Sequence, residues 1–381
     1  MTERSNKILL ITNIPTPYRI PLFNELHEQL KKKGLKLKVI FGALGYPRRK
    51  WNVEMSSCRF DYEVLHSCRL SLFDPEKVMF TYRGLLKIVK KEKPKVIITN
   101  AFSVATTKLW LASWFKDISY IIWSGEIRSR GRSNSLLRRI HRELITKKAK
   151  GFIAYGEKAN DYLIDLGADR KKIQIGINTV DTNYFNIEAK KIRATSEKNN
   201  SKKILIFVGY LINRKRLDLL FRVIKILAKK RNDFILKIIG DGPEKTNLIK
   251  LAEKFDIGEF ISFEGFKQKE EIVKYYAEAD YFLFPSEYEI WGLVLVEAMA
   301  SGLPCIASIY AGATHDLVMN GVTGFAMDFE NPGEIAKKLE MILDDHQYAR
   351  RIGEEASRFI AKNASLCESA KGFIRAIEKT I

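Results

Sequence analysis

Two glutamates eight positions apart, Glu289 and Glu297, stand in the stretch SEYEIWGLVLVEAMASGLPCIAS at residues 286–308. Glu297 sits inside LVLVEAMA, a run whose other members read as helix core. A carboxylate buried without partners is costly, so this position asks for a polar guest, and a pair of ribose hydroxyls would satisfy both oxygens. Glu289, on the loop before that helix, would point at whatever follows. Upstream, ILIFVGYLINRKRLDLL carries a strand ending at Gly209, a short loop, and an amphipathic helix from about Lys215. Free amides and the dipole of a helix start favour negative charge. Arg214 and Lys215 add two cations there, an unfavourable placement unless an anion accompanies them. Phosphate fits that demand. The stretch LKIIGDGPEKTNL repeats the device with the turn Gly240-Asp241-Gly242-Pro243. In the third loop Trp291 precedes Gly292, which opens a helix whose first amides, from Leu293 on, can face a phosphate. Cations, helix starts and two glutamates at such places suit a nucleotide diphosphate joined to a sugar.

Strands alternating with helices must hold these loops. In residues 1–200 the β-branched runs 7–12, 35–41, 95–99, 119–123 and 151–154 read as strands, with helices at 21–33 and 133–147 among them. In residues 201–381 the runs 203–208, 234–239, 261–263, 281–284 and 305–307 repeat the pattern. Such alternation predicts parallel sheets wound on both faces, and 381 residues suit two domains. The expected division is a basic Rossmann-like first domain over 1–186, a linker at 187–203 where IEAKKIRATSEKNNSKK is polar and charged, and a second domain over 204–360. A C-terminal helix within 361–381 is expected to pack back on the first domain. Ligands of doubly wound sheets bind outside the carboxyl ends of the strands, so the cleft between two such domains is the expected site.

The net charge is +20, and all of it lies in the first half. Residues 1–200 hold 39 Lys and Arg against 19 Asp and Glu, whereas residues 201–381 hold 26 of each. The densest run spans Arg128, Arg130, Arg132, Arg138, Arg139, Arg142, Lys147, Lys148 and Lys150. A basic surface attracts nucleic acid, anionic lipid or an anionic small molecule, and charge alone does not choose. The four cysteines, Cys58, Cys68, Cys305 and Cys367, have neither metal-site nor disulfide spacing. No apolar run approaches a membrane span, and residues 1–7 lack the apolar stretch of a signal peptide. The chain is therefore read as cytoplasmic.

The second half also carries a resemblance. Glu289-x7-Glu297 within WGLVLVEAMASGLPCIAS, followed by AGATHDLVMNGVTGF, resembles the donor-binding core of retaining glycosyltransferase family 4. VGYLINRKRLDLL, IIGDGPE, FEGFKQKEEIVKYYAEADYFLFPS and INTVDTNYF match the same family in the same order. The resemblance implies the GT-B fold, two Rossmann-like domains facing across a cleft. It implies that Glu297 holds the ribose, that Glu289 holds a hydroxyl of the donor sugar, and that Lys215 binds the diphosphate. It implies that the backbone at Phe266 and Lys267 borders the base. Tyr210 stands where the family often has an arginine, which passes the second positive charge to Arg214. Ile290 replaces a common glycine. The first domain matches less closely: the β-strand at 7–12 runs into TNIPTPYRIPLFNEL, a proline-stiffened loop carrying Tyr18 and Arg19, instead of a glycine-rich one. Many relatives have a histidine near the end of a central strand, where YIIWSGEIRSR offers Trp123 and Glu126. Glu126 is then the sugar-facing candidate, or else a surface carboxylate paired with Arg128 or Arg130.

The function so implied is a retaining, metal-independent glycosyltransferase using a nucleotide sugar, a UDP-sugar in preference to GDP-mannose. The nucleotide sugar is a substrate, and no cofactor is called for. No Asp-x-Asp occurs, which fits departure without a metal. The expected acceptor is a lipid-linked or other glycan in cell-surface assembly, reached from the inner face of an anionic membrane. That face would be approached by the basic domain and by the helix at 133–147, whose leucines are expected to pack on the first sheet with the arginines left free. A soluble small-molecule acceptor is the alternative. A nucleic-acid-binding protein is a more distant rival, disfavoured because the motif-bearing half is neutral. A dinucleotide-dependent oxidoreductase lacks its GxGxxG after the first strand.

Overall fold

The computed structural model describes residues 5–45, 50–65, 67, 69–71, 78–128, 135–195 and 202–381. The chain divides into two compact units, residues 1–180 with 366–381, and residues 181–365.

The strands of the first unit are β1 (Lys7–Thr12), β2 (Lys36–Phe41), β3 (Asp61–Val64), β4 (Arg69–Ser71), β5 (Val78–Phe80), β6 (Val96–Asn100), β7 (Tyr120–Ser124), β8 (Gly151–Ala154) and β9 (Ile173–Ile175). Seven of them form one parallel sheet in the order β3-β2-β1-β6-β7-β8-β9, and β4 pairs with β5 in a separate antiparallel ribbon. The helices are α1 (Arg19–Lys31), α2 (Leu85–Glu92), α3 (Val104–Ala112), α4 (Leu136–Lys148) and α5 (Glu157–Asp165). The central strands are buried on both faces: Ile8, Leu9, Leu10 and Ile11 of β1, and Tyr120, Ile121, Ile122 and Trp123 of β7, are wholly covered. Continuous apolar runs are what a strand covered by helices on both sides requires.

The second unit begins with α6 (Thr182–Thr195) and then runs β10 (Lys203–Val208), α7 (Leu217–Ala228), β11 (Phe234–Ile239), α8 (Lys245–Lys254), β12 (Ile261–Gly265), α9 (Lys269–Glu278), β13 (Tyr281–Phe284), α10 (Leu293–Ala300), β14 (Cys305–Ser308), α11 (Gly312–Leu317), β15 (Phe325–Met327), α12 (Pro332–Asp344) and α13 (His346–Asn363). Its six strands are parallel in the order β12-β11-β10-β13-β14-β15. The strand order reverses between β10 and β13, the switch point at which doubly wound sheets open a crevice. Each fully buried Leu or Phe, such as Leu205, Leu236 and Phe282, contributes roughly 1.5 to 3 kcal/mol.

The polar stretch read as a linker is helical as far as Thr195, and residues 196–201 lie outside the described residues. Composition misled because the stretch is anchored by a few side chains. Phe185 and Ala189 are buried, and the Arg193 guanidinium donates to the carbonyls of Tyr276, Ala277 and Ser301 at 3.1, 3.0 and 2.6 Å. These are carbonyls that the ends of α9 and α10 leave without helical partners. The last helix, α14 (Leu366–Glu378), belongs to the first unit. There Phe373 lies edge-on to Trp123 at 5.0 Å, and a Cβ on Gly372 would come within 2.1 Å of the Ile175 carbonyl oxygen.

Helix α4 is turned differently from the sequence expectation. Of its apolar side chains only Ile145 is buried, while Leu136, Leu137, Ile140 and Leu144 face solvent, Leu137 at 78% exposure. The covered face is His141, Arg142, Ile145, Thr146 and Ala149, a set at helical spacing that the arginine-rich composition disguised. Arg142 is engaged, with its guanidinium 3.5 Å from Glu126, 2.5 Å from the Tyr162 hydroxyl and over the Phe102 ring.

Candidate functional site

In the second unit the carboxyl ends of β10, β11 and β13 each run into a loop, and these loops touch backbone to backbone. Gly209 NH donates to Ile239 O at 2.9 Å, and Leu211 NH to Asp241 O at 3.0 Å. Gly240 is needed at this contact: its φ is +148°, and a Cβ there would lie 1.8 Å from the Gly209 carbonyl oxygen. Gly242 is pressed as closely, with a Cβ position 2.4 Å from Leu211 O. The loops are therefore clamped side by side before any side chain is placed.

The Gly209 loop does not pass straight into a helix at Lys215. Asn213–Lys215 is a single 3₁₀ turn, Arg216 takes left-handed φ of +50°, and α7 starts only at Leu217. Arg216 is held by Asp218 at 3.1 Å and Glu330 at 2.7 Å. Lys215 and Arg214 consequently stand before the helix instead of in its first turn. Their counter-charge is the chain's own Glu289: Arg214 Nη1 lies 2.9 Å from Glu289 Oε2, and Lys215 Nζ donates to the same oxygen. Lys215 is buried, with its ammonium 5.5 Å from the centre of the Phe284 ring. Burial works to raise the Glu289 pKa, but Lys215 and Arg214 outweigh it and the net shift is downward.

Glu289 is fixed by the turn that follows. Its carbonyl accepts from Gly312 NH at 2.9 Å, and the Trp291 carbonyl accepts from Ala313 NH at 3.0 Å. A Cβ on Gly312 would stand 2.2 Å from Ile290 O, so the glycine lets the two turns meet. Trp291 is buried, and its Nε1 has no hydrogen-bond partner among the described residues. Gly292, at φ +104°, reverses the chain into α10, and a Cβ there would strike Phe284 at 2.6 Å. Leu293 then presents one of the helix's first amides.

Glu297 lies one turn into α10 and is half-buried. One of its oxygens, Oε2, already accepts from the Tyr276 hydroxyl at 3.0 Å. Burial pushes its pKa up to about 7, against the pull of that hydrogen bond and of Lys269. The sequence reading assigned both carboxylate oxygens to a guest and missed Tyr276, whose apolar-face position on α9 marks it as core without revealing where its hydroxyl points. Phe266 and Lys267 follow β12 at the outer end of the same edge, where Gly265 adopts φ of +74° and Lys267 lies 3.9 Å from Glu271.

The remaining candidates belong to the first unit. Glu126 follows β7 and pairs with Arg142, whereas Arg128 pairs with Asp165 at 2.6 Å and Arg130 lies outside the described residues. Tyr18 and Arg19 open α1, with Tyr18 edge-on to Trp51 at 5.7 Å and the Arg19 guanidinium 4.1 Å from the centre of the Trp123 ring. Among the described residues no three His, Cys, Asp or Glu side chains gather as a metal site needs, and no helix is long and apolar enough to cross a membrane.

Comparison with known proteins follows this geometry. Residues 188–359 match the family described as Glycosyl transferases group 1, which spans most of the second unit. An uncharacterized glycosyltransferase of Haemophilus influenzae is 31% identical over 175 residues, covering 45% of this chain and 49% of the relative. The N-acetyl-alpha-D-glucosaminyl L-malate synthase of Bacillus anthracis is 30% identical over 194 residues, half of each chain. The chain thus spans about half the length of these curated relatives. Anabaena HepE, solved in complex with UDP, superposes with a TM-score of 0.77 at 18% identity over 98% of this chain and 99% of that one. That likeness gives the GT-B fold expected from the motifs.

Proposed function

We propose that the chain, whose residues 188–359 match the group 1 glycosyl transferases, is a retaining glycosyltransferase that moves a sugar from a nucleotide diphosphate to a glycan acceptor. The observation that carries this reading is the convergence of Arg214 and Lys215 on Glu289, with Glu297 one turn into the helix that follows, at the switch point of the sheet. In this reading Glu297 takes the ribose hydroxyls and Glu289 a sugar hydroxyl. The ammonium of Lys215 and the guanidinium of Arg214, already oriented by Glu289, meet the charge that grows on the departing diphosphate. Preorganised charge of this kind is usually the largest catalytic term. The C1–O bond to the diphosphate breaks while the acceptor oxygen bonds to C1 on the same face, and the acceptor proton passes to a diphosphate oxygen. No protein base and no metal is assigned a part. HepE binding UDP supports a UDP-sugar as donor.

The acceptor is assigned to a lipid-linked glycan at the inner face of an anionic membrane. Supporting this is the α3–α4 surface, where Trp114 and Phe115 join Leu111, Leu136, Leu137, Ile140 and Leu144 as exposed apolar side chains, Phe115 at 90%. Lys148 lies over the Trp114 ring at 4.9 Å, and Arg138, Arg139 and Lys147 lie on the same helix. Apolar side chains ringed by cations suit a bilayer interface. A soluble acceptor is the second reading, and the name of the Bacillus anthracis relative favours it. The testing experiment is a thermal-shift screen against UDP- and GDP-sugars, followed by a nucleotide-release assay and NMR of the product's anomeric proton. Stabilisation by no nucleotide sugar, or an inverted anomeric centre, overturns the reading.

A further inference from the structure

At the carboxyl edge of the first unit's sheet, Arg19 carries a positive charge with no carboxylate beside it among the described residues. Its Nη2 donates to the Tyr155 hydroxyl at 2.7 Å, Nη1 lies 3.5 Å from Thr12 Oγ1, and its plane faces Trp123, which is wholly buried. Of the nearby tyrosines, Tyr18 also hydrogen-bonds the Arg19 side chain, its ring 5.9 Å from the guanidinium, and Tyr82 has its hydroxyl committed to Asn13 Oδ1 at 2.6 Å. Glu126 acts electrostatically on Tyr155 and is paired with Arg142. Arg19 is also the first residue of α1, and the first turn of that helix holds no acid. A cation at a helix start opposes the helix dipole, so its placement there carries a cost that an aromatic face and neutral hydroxyls offset only in part. Arg19 as a residue is half-buried. A second, independent feature lies three residues earlier in the same loop: Thr16 is 3% exposed and its Oγ1 has no hydrogen-bond partner.

We propose that Arg19, with Tyr155, forms an oxyanion site in the first unit that takes a phosphate or carboxylate group of the acceptor. The proposal rests on the glycosyltransferase reading for the word acceptor, while the anion site itself does not. The planar guanidinium lies over Trp123 and has five N–H groups, so that after those spent on Tyr155 and Tyr18 others are left for an oxyanion, a geometry that lysine does not reproduce.

The test uses the full chain saturated with UDP, so that the cations of the second unit are already engaged, and titrates inorganic phosphate and malonate by thermal shift and calorimetry. The parent is expected to bind one further anion. Arg19→Met is expected to lose that event by at least tenfold in affinity while its UDP affinity stays within twofold of the parent, and Arg19→Lys to retain a weakened site. Arg19→Lys also serves as the folded control if Arg19→Met loses its melting transition. No anion binding by the UDP-saturated parent, or equal anion binding by parent and both variants, overturns the site. A tenfold loss of UDP affinity in Arg19→Lys overturns the assignment to the acceptor and gives the cation to the donor diphosphate instead. Should the parent bind no nucleotide, the glycosyltransferase reading fails, and the phosphate titration of the unsaturated parent and its Arg19 variants still decides the anion site.

Discussion

Replacing Glu297 by Gln separates what that carboxylate does for the fold from what it does for a ligand. Its folded pKa is raised from 4.5 to about 7 by burial, so the fold favours the neutral acid. The resulting stability is fully present below pH about 4.5 and is lost as pH rises through about 7. A shift of that size corresponds to roughly 3 kcal/mol. The open side of this half-buried group reduces the figure to about 1 to 2 kcal/mol. Gln, which carries no charge, is thus expected to raise the melting temperature at pH 8 and to leave it unchanged at pH 4.5. Ligand binding runs the other way. If ribose hydroxyls donate to the ionised carboxylate, about one molecule in ten is competent at pH 6 and about nine in ten at pH 8, so the parent's nucleotide affinity is expected to fall roughly tenfold, or about 1.4 kcal/mol, between the two. Glu297→Gln should bind at least tenfold more weakly at pH 8, since a hydrogen bond to a charged group contributes about 1.5 to 3 kcal/mol. Its pH dependence should be flat. Isothermal titration of UDP and GDP at pH 6 and 8, with melting curves at pH 4.5 and 8, reads all four quantities. A variant that binds nucleotide like the parent at pH 8 refutes the assignment of Glu297 to the ribose.

Lys215→Ala should lower turnover by roughly a hundredfold with a smaller change in donor KM, because its charge matters most as the diphosphate departs; a parent-like rate in a nucleotide-release assay counts against that role. Gly240→Ala should lose about 3 kcal/mol or more, since it adds a strained φ to a backbone overlap at Gly209, and calorimetry should show the melting point down by roughly 6 to 12 °C. Leu137→Asp with Leu144→Asp should abolish flotation with anionic liposomes at low salt while the melting temperature stays put, both positions being exposed; undiminished flotation removes α4 from the membrane reading. EDTA should leave turnover unchanged, and activity lost with chelator and restored by a divalent cation would require a metal-assisted departure.

Much of this protein could be read from one dimension because its strands are buried on both faces. Such strands are short continuous apolar runs, and five of them, residues 7–12, 151–154, 203–208, 234–239 and 281–284, have the bounds read from the sequence. Edge and short strands such as β3, β9 and β15 escaped, since a strand half open to solvent leaves a weaker pattern. The glycines and the cation pair could also be found, being placed by local chain geometry. What they touch could not. That Glu289 is the counter-ion of Lys215 and Arg214 depends on two loops more than seventy residues apart being held together, with Glu287 NH donating to Arg214 O at 2.9 Å, and no spacing along the chain encodes that distance. The same holds for Tyr276 on Glu297, for Arg193 on the ends of two helices, and for Arg19 above Trp123. The leucines of α4 make the point in reverse: their helical period announces an apolar face, and only packing decides whether that face meets a sheet or solvent. Local sequence sets which dihedrals and which burial a residue prefers, whereas the partner of a charge is chosen by whichever distant element the folded chain brings within about 3 Å.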